Sequence, residues 1–150
     1  MKRAVFPGSF DPITLGHQDI INKGLRVFDE IIIGIGENSD KKYMFSAEKR
    51  FEFVSTTFDK IKKIDVKCYS GLTVDFCKEN DAQFIIRGLR NPADFEFEKS
   101  IALTNREMTG IETVFFLTSP KNSFISSSIV RDLIKNKGDY KLFIPNEITI

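Results

Sequence analysis

At 150 residues and 17.2 kDa, with 41% hydrophobic and 29% charged residues, the chain is sized and composed for one folded domain over residues 1–150 rather than for disorder. Its 22 Lys+Arg against 21 Asp+Glu leave a formal charge of +1, without the basic excess of a protein that grips a nucleic-acid backbone. The apolar runs Ile31–Ile35 and Thr113–Leu117 are far shorter than the about 20 residues of a membrane span, the opening MKRAVFPGSF breaks at Pro7 and does not read as a signal peptide, and Cys68 and Cys77 form no CxxC pair. A cytoplasmic protein with reduced thiols, without nucleic-acid or membrane partners, is the expectation.

In chain order, Arg3–Phe6 reads as a first strand that ends at the Pro7-Gly8 turn. Ile20, Ile21, Leu25 and Phe28 then recur at helical spacing. Glu30–Gly36 is a continuous apolar run, the mark of a strand buried on both faces. Ser46 caps a helix whose inward face carries Ala47, Phe51, Val54 and Phe58. Ile64–Tyr69 alternates as a strand, Leu72–Glu79 reads as a short helix, and Gln83–Ile86 as a buried strand. Pro92 opens a helix to about Met108 and Gly110 closes it. Glu112–Thr118 is a fifth strand. Ser126–Lys137 is a last helix, with Ile129, Val130, Leu133 and Ile134 inward and Gly138 at its end. The segment Asp139–Ile150 reads as irregular. This β-α alternation predicts a single-domain α/β fold, a five-stranded parallel sheet with helices on both faces. Ligands of such sheets bind beyond the carboxyl ends of the strands.

Four segments at those ends carry chemistry. The first, Gly8-Ser9-Phe10 through Thr14-Leu15-Gly16-His17, runs from strand into helix. Thr14 can cap the helix and place His17 in its first turn. The positive helix end there favours phosphate and disfavours an imidazolium, so His17, the only histidine, is expected to be a neutral hydrogen-bond donor. An ordinary capped helix with a surface histidine is the bland alternative. Neither a Walker loop nor GxGxxG is present. The second segment, Lys41-Lys42, can hold a phosphate, or be a solvated pair. The third, Arg87-Gly88-Leu89-Arg90, puts two of seven arginines within four residues. Their planar forks suit phosphate, while an ion pair of Arg87 with Glu96 or Glu98 is the structural alternative. Glu98, inside the next helix, is at a position most often plain solvated surface. The fourth, Asn122-Ser123-Phe124-Ile125-Ser126-Ser127-Ser128, offers hydroxyls and helix N–H groups to an anion, or serves as a redundant cap. No metal-ligand cluster is visible, and one histidine without a well-placed cysteine supports no catalytic triad.

Together these segments resemble one family. Thr14-Leu15-Gly16-His17 is similar to the (H/T)xGH motif of the nucleotidyltransferases, and Ile125-Ser126-Ser127-Ser128 to their second motif. PGSFDPITLGH, IIRGLRNPADFEFE and NSFISSSIVRD resemble the bacterial phosphopantetheine adenylyltransferases over nearly the whole chain. The resemblance implies a Rossmann-like nucleotidyltransferase fold. It implies adenylyl transfer from ATP to 4′-phosphopantetheine with Mg²⁺, giving dephospho-coenzyme A and pyrophosphate. It implies that Ser9 and Phe10 contact the nucleotide, Ser9 also the acceptor phosphate, and that His17 stabilises the transition state. Lys41, Thr73 and Arg87 would hold phosphopantetheine. Gly88, Leu89, Arg90, Glu98 and Asn122 to Ser128 would hold ATP, with Asn122 standing where an aromatic is frequent. A homohexamer under feedback inhibition by coenzyme A is implied too. Sister nicotinate-mononucleotide adenylyltransferases and cytidylyltransferases share the GH motif, but generally not RGLR and ISSS in this form. A nucleotide-binding regulatory module without turnover is the reading from another class.

Overall fold

A computed structural model describes residues 1–150. Five strands alternate with five helices: β1 (Arg3–Gly8), α1 (Leu15–Gly24), β2 (Glu30–Gly36), α2 (Ala47–Phe58), β3 (Ile64–Tyr69), α3 (Thr73–Glu79), β4 (Phe84–Leu89), α4 (Pro92–Thr109), β5 (Glu112–Leu117) and α5 (Ser127–Lys135). Short 3-10 turns cover Pro120–Asn122 and Tyr140–Phe143. All four strand pairings are parallel, in the order β3-β2-β1-β4-β5.

The two-residue period of the strands divides the core between the faces of the sheet. Ala4, Phe6, Ile31, Ile33, Ile35 and Ile86 point to one face, where Ile20 and Ile21 of α1, Phe53, Val54 and Phe58 of α2, and Val130 of α5 cover them. Val5, Ile32 and Ile85 point to the other, under Val74, Phe76 and Cys77 of α3. Helix α4 lies on that second face against β4 and β5, with Phe95 edge-on to Phe115 at 5.9 Å. Side-chain caps start four of the helices, Thr14 and Ser46 among them as the sequence predicts. Thr14, Ser46, Asn91 and Ser126 cap α1, α2, α4 and α5 with their side chains. Gly110 closes α4 at φ 77, a left-handed turn that a side chain would strain.

Several expectations are corrected. The strand β1 runs on through Pro7 to Gly8, and α1 stops at Gly24, so Leu25 and Phe28 pack from beyond its end. The inward face of α2 is Arg50, Phe53, Val54, Thr57 and Phe58, while Phe51 is exposed. Helix α5 ends at Lys135, and its Ile129 is exposed. The irregular tail contributes Ile144 and Ile148 to the core. Phe51 and Ile129 both lie at the edge of their helix's apolar stripe, where periodicity alone does not decide which side packs inward.

The pairing of β1 with β4 positions the site. It ends at Val5↔Ile85, whereas β1 stays paired with β2 as far as Gly8↔Ile35. Strands β1 and β4 therefore part at their carboxyl ends. Pro7 has no N–H to continue a ladder there. The Arg87 guanidinium donates to the Pro7 carbonyl instead, at 2.8 Å. β1 is also where the strand order reverses, the place where open parallel sheets bind ligands.

Candidate active site

Two adjoining cavities, of about 420 and 360 Å³, open at this parting. Pro7, Gly8, Ser9, Lys41, Arg87 and Glu98 line both and form the wall between them. The larger runs between the second face of the sheet and α4, with Tyr69 and Thr73 on one side and Phe97, Ile101 and Asn105 on the other. The smaller faces α1 and α5 and holds His17, Gly88, Arg90 and Ile125 through Ser128.

His17 is half-buried in the first turn of α1. Its Nδ1 accepts the Thr14 backbone N–H at 3.0 Å, and the His17 backbone N–H donates to Thr14 Oγ1 at 3.4 Å, a reciprocal capping box. A nitrogen that accepts carries no proton, so the neutral ring bears its proton on Nε2. Burial, with Arg87 and Arg90 nearby, lowers the His17 pKa from 6.5 to about 4. Phe10 braces the ring, with centroids 4.9 Å apart. The expected neutral donor is what this geometry provides, though burial outweighs the charges around it as the cause.

The loop after β1 carries Ser9 and Phe10. Ser9 Oγ accepts from Lys41 Nζ at 2.9 Å, across the wall between the cavities. Phe10 takes φ 50 and lines the smaller cavity, with its ring buried against Phe6. Thr73 Oγ1 lies 2.9 Å from the Tyr69 hydroxyl inside the larger cavity.

Arg87 forms the ion pair with Glu98 that the sequence offers as the structural alternative: Nε to Oε2 at 3.0 Å and Nη2 to Oε1 at 2.6 Å. With the bond to Pro7, three of its five N–H groups are used and two remain for a ligand. Glu98 is buried, not plain solvated surface. Arg90 is more exposed and binds Asp94 through Nε at 3.2 Å. Gly88 serves packing as well as access, since a Cβ there would lie 2.8 Å from Ile20 Cγ1. Leu89 lies outside the cavity linings.

Serines 126 to 128 divide their work. Ser126 Oγ caps α5 by accepting from Ile129 N–H at 3.2 Å. Ser127 Oγ donates to the Pro12 carbonyl at 2.8 Å, and Ser128 Oγ accepts from Arg131 at 3.1 Å. The first N–H groups of α5 have no partner within the helix and sit at the smaller cavity. Asn122, Ser123 and Phe124 do not line it. Asn122 is buried, and its carbonyl accepts from Ile125 N–H, which shapes the turn into α5.

No group of three or more His, Cys, Asp or Glu side chains converges. The acids of the smaller cavity are engaged: Asp11 accepts from the Met44 and Phe45 N–H groups, Asp94 from Arg90, and Glu98 from Arg87. The carboxylates lining the smaller cavity are thus all committed to hydrogen bonds within the protein.

Sequence reasoning passes over several residues here. Arg50, Arg131, Asp11 and Asp19 all tie the site loops together. The rarity of arginine, seven in the chain, points to Arg50 and Arg131 by the same logic that picks out Arg87 and Arg90.

Comparison with known proteins agrees with the geometry. Residues 5–133 match the cytidylyltransferase-like family model. The chain is 58% identical to the phosphopantetheine adenylyltransferase of Flavobacterium psychrophilum and 57% to that of Flavobacterium johnsoniae, each over 100% of this chain and 99% of the relative. It superposes on a bifunctional NMN adenylyltransferase/ADP ribose pyrophosphatase of Francisella tularensis with a TM-score of 0.77 at 15% identity, over 98% of this chain and 46% of that one. That likeness concerns the Rossmann-like nucleotidyltransferase fold alone. Identity at this level over the full length, with the family-model match, places the chain in the family of the phosphopantetheine adenylyltransferases.

Proposed function

We infer that the chain transfers the adenylyl group of ATP to 4′-phosphopantetheine, giving dephospho-coenzyme A and pyrophosphate in coenzyme A biosynthesis. The full-length identity of 57–58% to named phosphopantetheine adenylyltransferases carries this reading. In the reaction an oxygen of the acceptor's phosphate attacks the α-phosphorus of ATP. The bond from that phosphorus to the bridging oxygen breaks, and pyrophosphate leaves with the electron pair. The attacking phosphate is already charged by about −1.5 to −2 near neutral pH, so no general base is required. The work left to the protein is positioning and the stabilisation of charge.

The two cavities suit the two substrates. The larger has an apolar side made by Phe97, Ile101 and Ala102 and polar groups at Thr73 and Asn105, as a chain of amides ending in a thiol requires. Lys41, Thr73 and Arg87 are assigned to that acceptor. Arg90, Gly88 and the N-terminus of α5 are assigned to ATP, and Ser9 and the Phe10 backbone to the meeting point. Glu98, a carboxylate that would repel phosphate, acts by holding Arg87. His17 Nε2–H donates to the α-phosphate as charge builds there. Mg²⁺ is taken as part of the nucleotide substrate, held by phosphate oxygens and screening their charge.

The reading extends to a cytoplasmic homohexamer under feedback by coenzyme A. No helix is long and apolar enough to cross a membrane. Coenzyme A contains the pantetheine arm of the acceptor, so the larger cavity is its natural seat. The test is pyrophosphate release from Mg·ATP with 4′-phosphopantetheine, beside pantetheine and nicotinate mononucleotide, and from CTP with phosphocholine. Turnover is expected with 4′-phosphopantetheine alone and is expected to stop when Mg²⁺ is chelated. Equal turnover with pantetheine, or none with phosphopantetheine, overturns the reading.

A further inference from the structure

We propose that Arg50 and Asp11 are positioning residues for the acceptor phosphate, clasping the loop after β2 onto the loop after β1 so that Lys41 is held against Ser9. The inference rests on the assignment of Lys41 to the acceptor.

Arg50 is 2% exposed, although it sits in the first turn of α2 at the protein's functional edge. Arginine is almost never fully buried without partners. Its partners here are backbone carbonyls drawn from two loops. Nη1 donates to Ser9 at 2.8 Å and to Gly36 at 3.0 Å, and Nε donates to Phe45 at 3.2 Å. Its planar face stacks on Tyr43, with Cζ 3.9 Å from the ring centroid. The Tyr43 hydroxyl in turn accepts the Asn38 N–H at 3.1 Å and donates to the Gly36 carbonyl at 3.4 Å. The segment from Gly36 to Phe45 thus wraps one guanidinium. Lys41 lies in the middle of that segment, between its two anchored ends.

Asp11 completes the clasp from the opposite side. It is 3% exposed, and its two carboxylate oxygens accept the Met44 and Phe45 N–H groups at 2.9 Å each. One loop therefore offers a carbonyl to Arg50 and receives a carboxylate bond in return. Lys41 Nζ meets Ser9 Oγ at 2.9 Å across this junction.

A merely structural reading explains this less well. Burying a guanidinium costs desolvation that an apolar side chain would avoid. What an arginine adds is direction, because its donors are fixed in one plane and only suitably placed carbonyls satisfy them. Here those carbonyls belong to the last residue of β2 and the loops that bear Ser9 and Lys41. The clasp sets the separation between Ser9 and Lys41, and the acceptor's phosphate must fit that separation.

The experiment is a double-mutant cycle between Arg50→Lys and Lys41→Ala, read as KM for 4′-phosphopantetheine and for ATP. Arg50→Lys is expected to raise the acceptor KM by about tenfold and the ATP KM by less than about threefold. In the Lys41→Ala background it should raise the acceptor KM by less than about threefold further, because residues acting through one another are non-additive. Asp11→Asn keeps the shape but loses one acceptor oxygen, and the same pattern is expected of it in weaker form. It carries the cycle if Arg50→Lys fails to fold by thermal unfolding. An undiminished effect in the Lys41→Ala background, or equal rises in both KM values, overturns the clasp. Should the wild-type enzyme turn over another acceptor and not phosphopantetheine, the proposed function fails. The cycle run with that other acceptor then still decides the clasp.

Discussion

A histidine whose Nδ1 is occupied by a backbone N–H has one proton to give, from Nε2, and His17 keeps that form because its pKa lies at about 4. Such a group cannot serve as a base near neutral pH, but it can donate throughout that range. His17→Ala is therefore expected to leave ATP affinity nearly intact and to lower kcat by roughly 10²–10³-fold, as the loss of an oxyanion-hole donor does. His17→Gln, which retains a donor, should recover part of this. The acid limb of the pH–rate profile should persist in the Ala variant, because it belongs to the substrate phosphate. Stability offers an independent check. Folding lowers the His17 pKa from 6.5 to about 4, so the unfolded chain binds more protons between those values. This contribution is intact above pH 6.5 and is lost as pH falls toward 4, at up to about 1.4 kcal/mol per unit. Urea unfolding at pH 7 and pH 5 should show a larger loss for the wild type than for His17→Gln. The arginines divide in a similar way. Arg87 stands in the wall common to both cavities, whereas Arg90 lines only the smaller one. Lys41→Ala and Arg87→Ala are expected to raise chiefly the acceptor KM, and Arg90→Ala chiefly that of ATP, each by about 1.5–3 kcal/mol. Initial-rate kinetics with one substrate varied at a time measure this split.

Between elements, the site depends on how closely α1 approaches β4. Gly88 faces Ile20, and a Cβ on residue 88 would stand 2.8 Å from Ile20 Cγ1 and 3.0 Å from its Cδ1. Ile20 is 3% exposed and has no room to retreat without moving the helix. Gly88→Ala should cost about 1–3 kcal/mol, the usual range for overpacking a tight core contact. The same displacement moves His17, three residues earlier on α1, so kcat should fall together with the thermal midpoint. Adding Ile20→Val, which removes Cδ1, should recover part of both. Thermal unfolding and turnover of the single and double variants check this. Sequence reading places Gly88 among the residues expected to hold ATP and does not see Ile20 behind it. The two residues are far apart along the chain, and no local pattern couples them.

At the scale of the molecule, the sequence discloses most where local chemistry repeats. The caps at Thr14, Ser46, Asn91 and Ser126 and the run EIIIGIG are local signals, and the strand and helix order follows from them. Phe51 and Ile129 mislead because a helix stripe read without its partner surface leaves the inward face uncertain by one position. Arg50 is hidden for a related reason: its partners Ser9, Gly36 and Phe45 are backbone carbonyls, which no side-chain pattern reports. Helix α4 shows the converse, apolar side chains that the fold of one chain does not use. Of its 18 residues only Glu98 is buried, while Phe97, Ile101, Leu103 and Met108 are exposed by 44–69%. Phe97 and Ile101 also line the larger cavity, whereas Leu103 and Met108 do not. If the proposed assembly forms, these exposed apolar groups are its expected contact surface. Sedimentation equilibrium should therefore give a mass that is a multiple of the 17.2 kDa chain. Leu103→Asp and Met108→Asp each place a charge in that contact and should weaken self-association by about tenfold or more, equivalent to at least about 1.4 kcal/mol. Neither residue lines either cavity, so both variants should retain turnover at protein concentrations high enough to restore assembly. A monomeric wild type would overturn the assembly, and variants that keep its full mass on dilution would place the interface elsewhere.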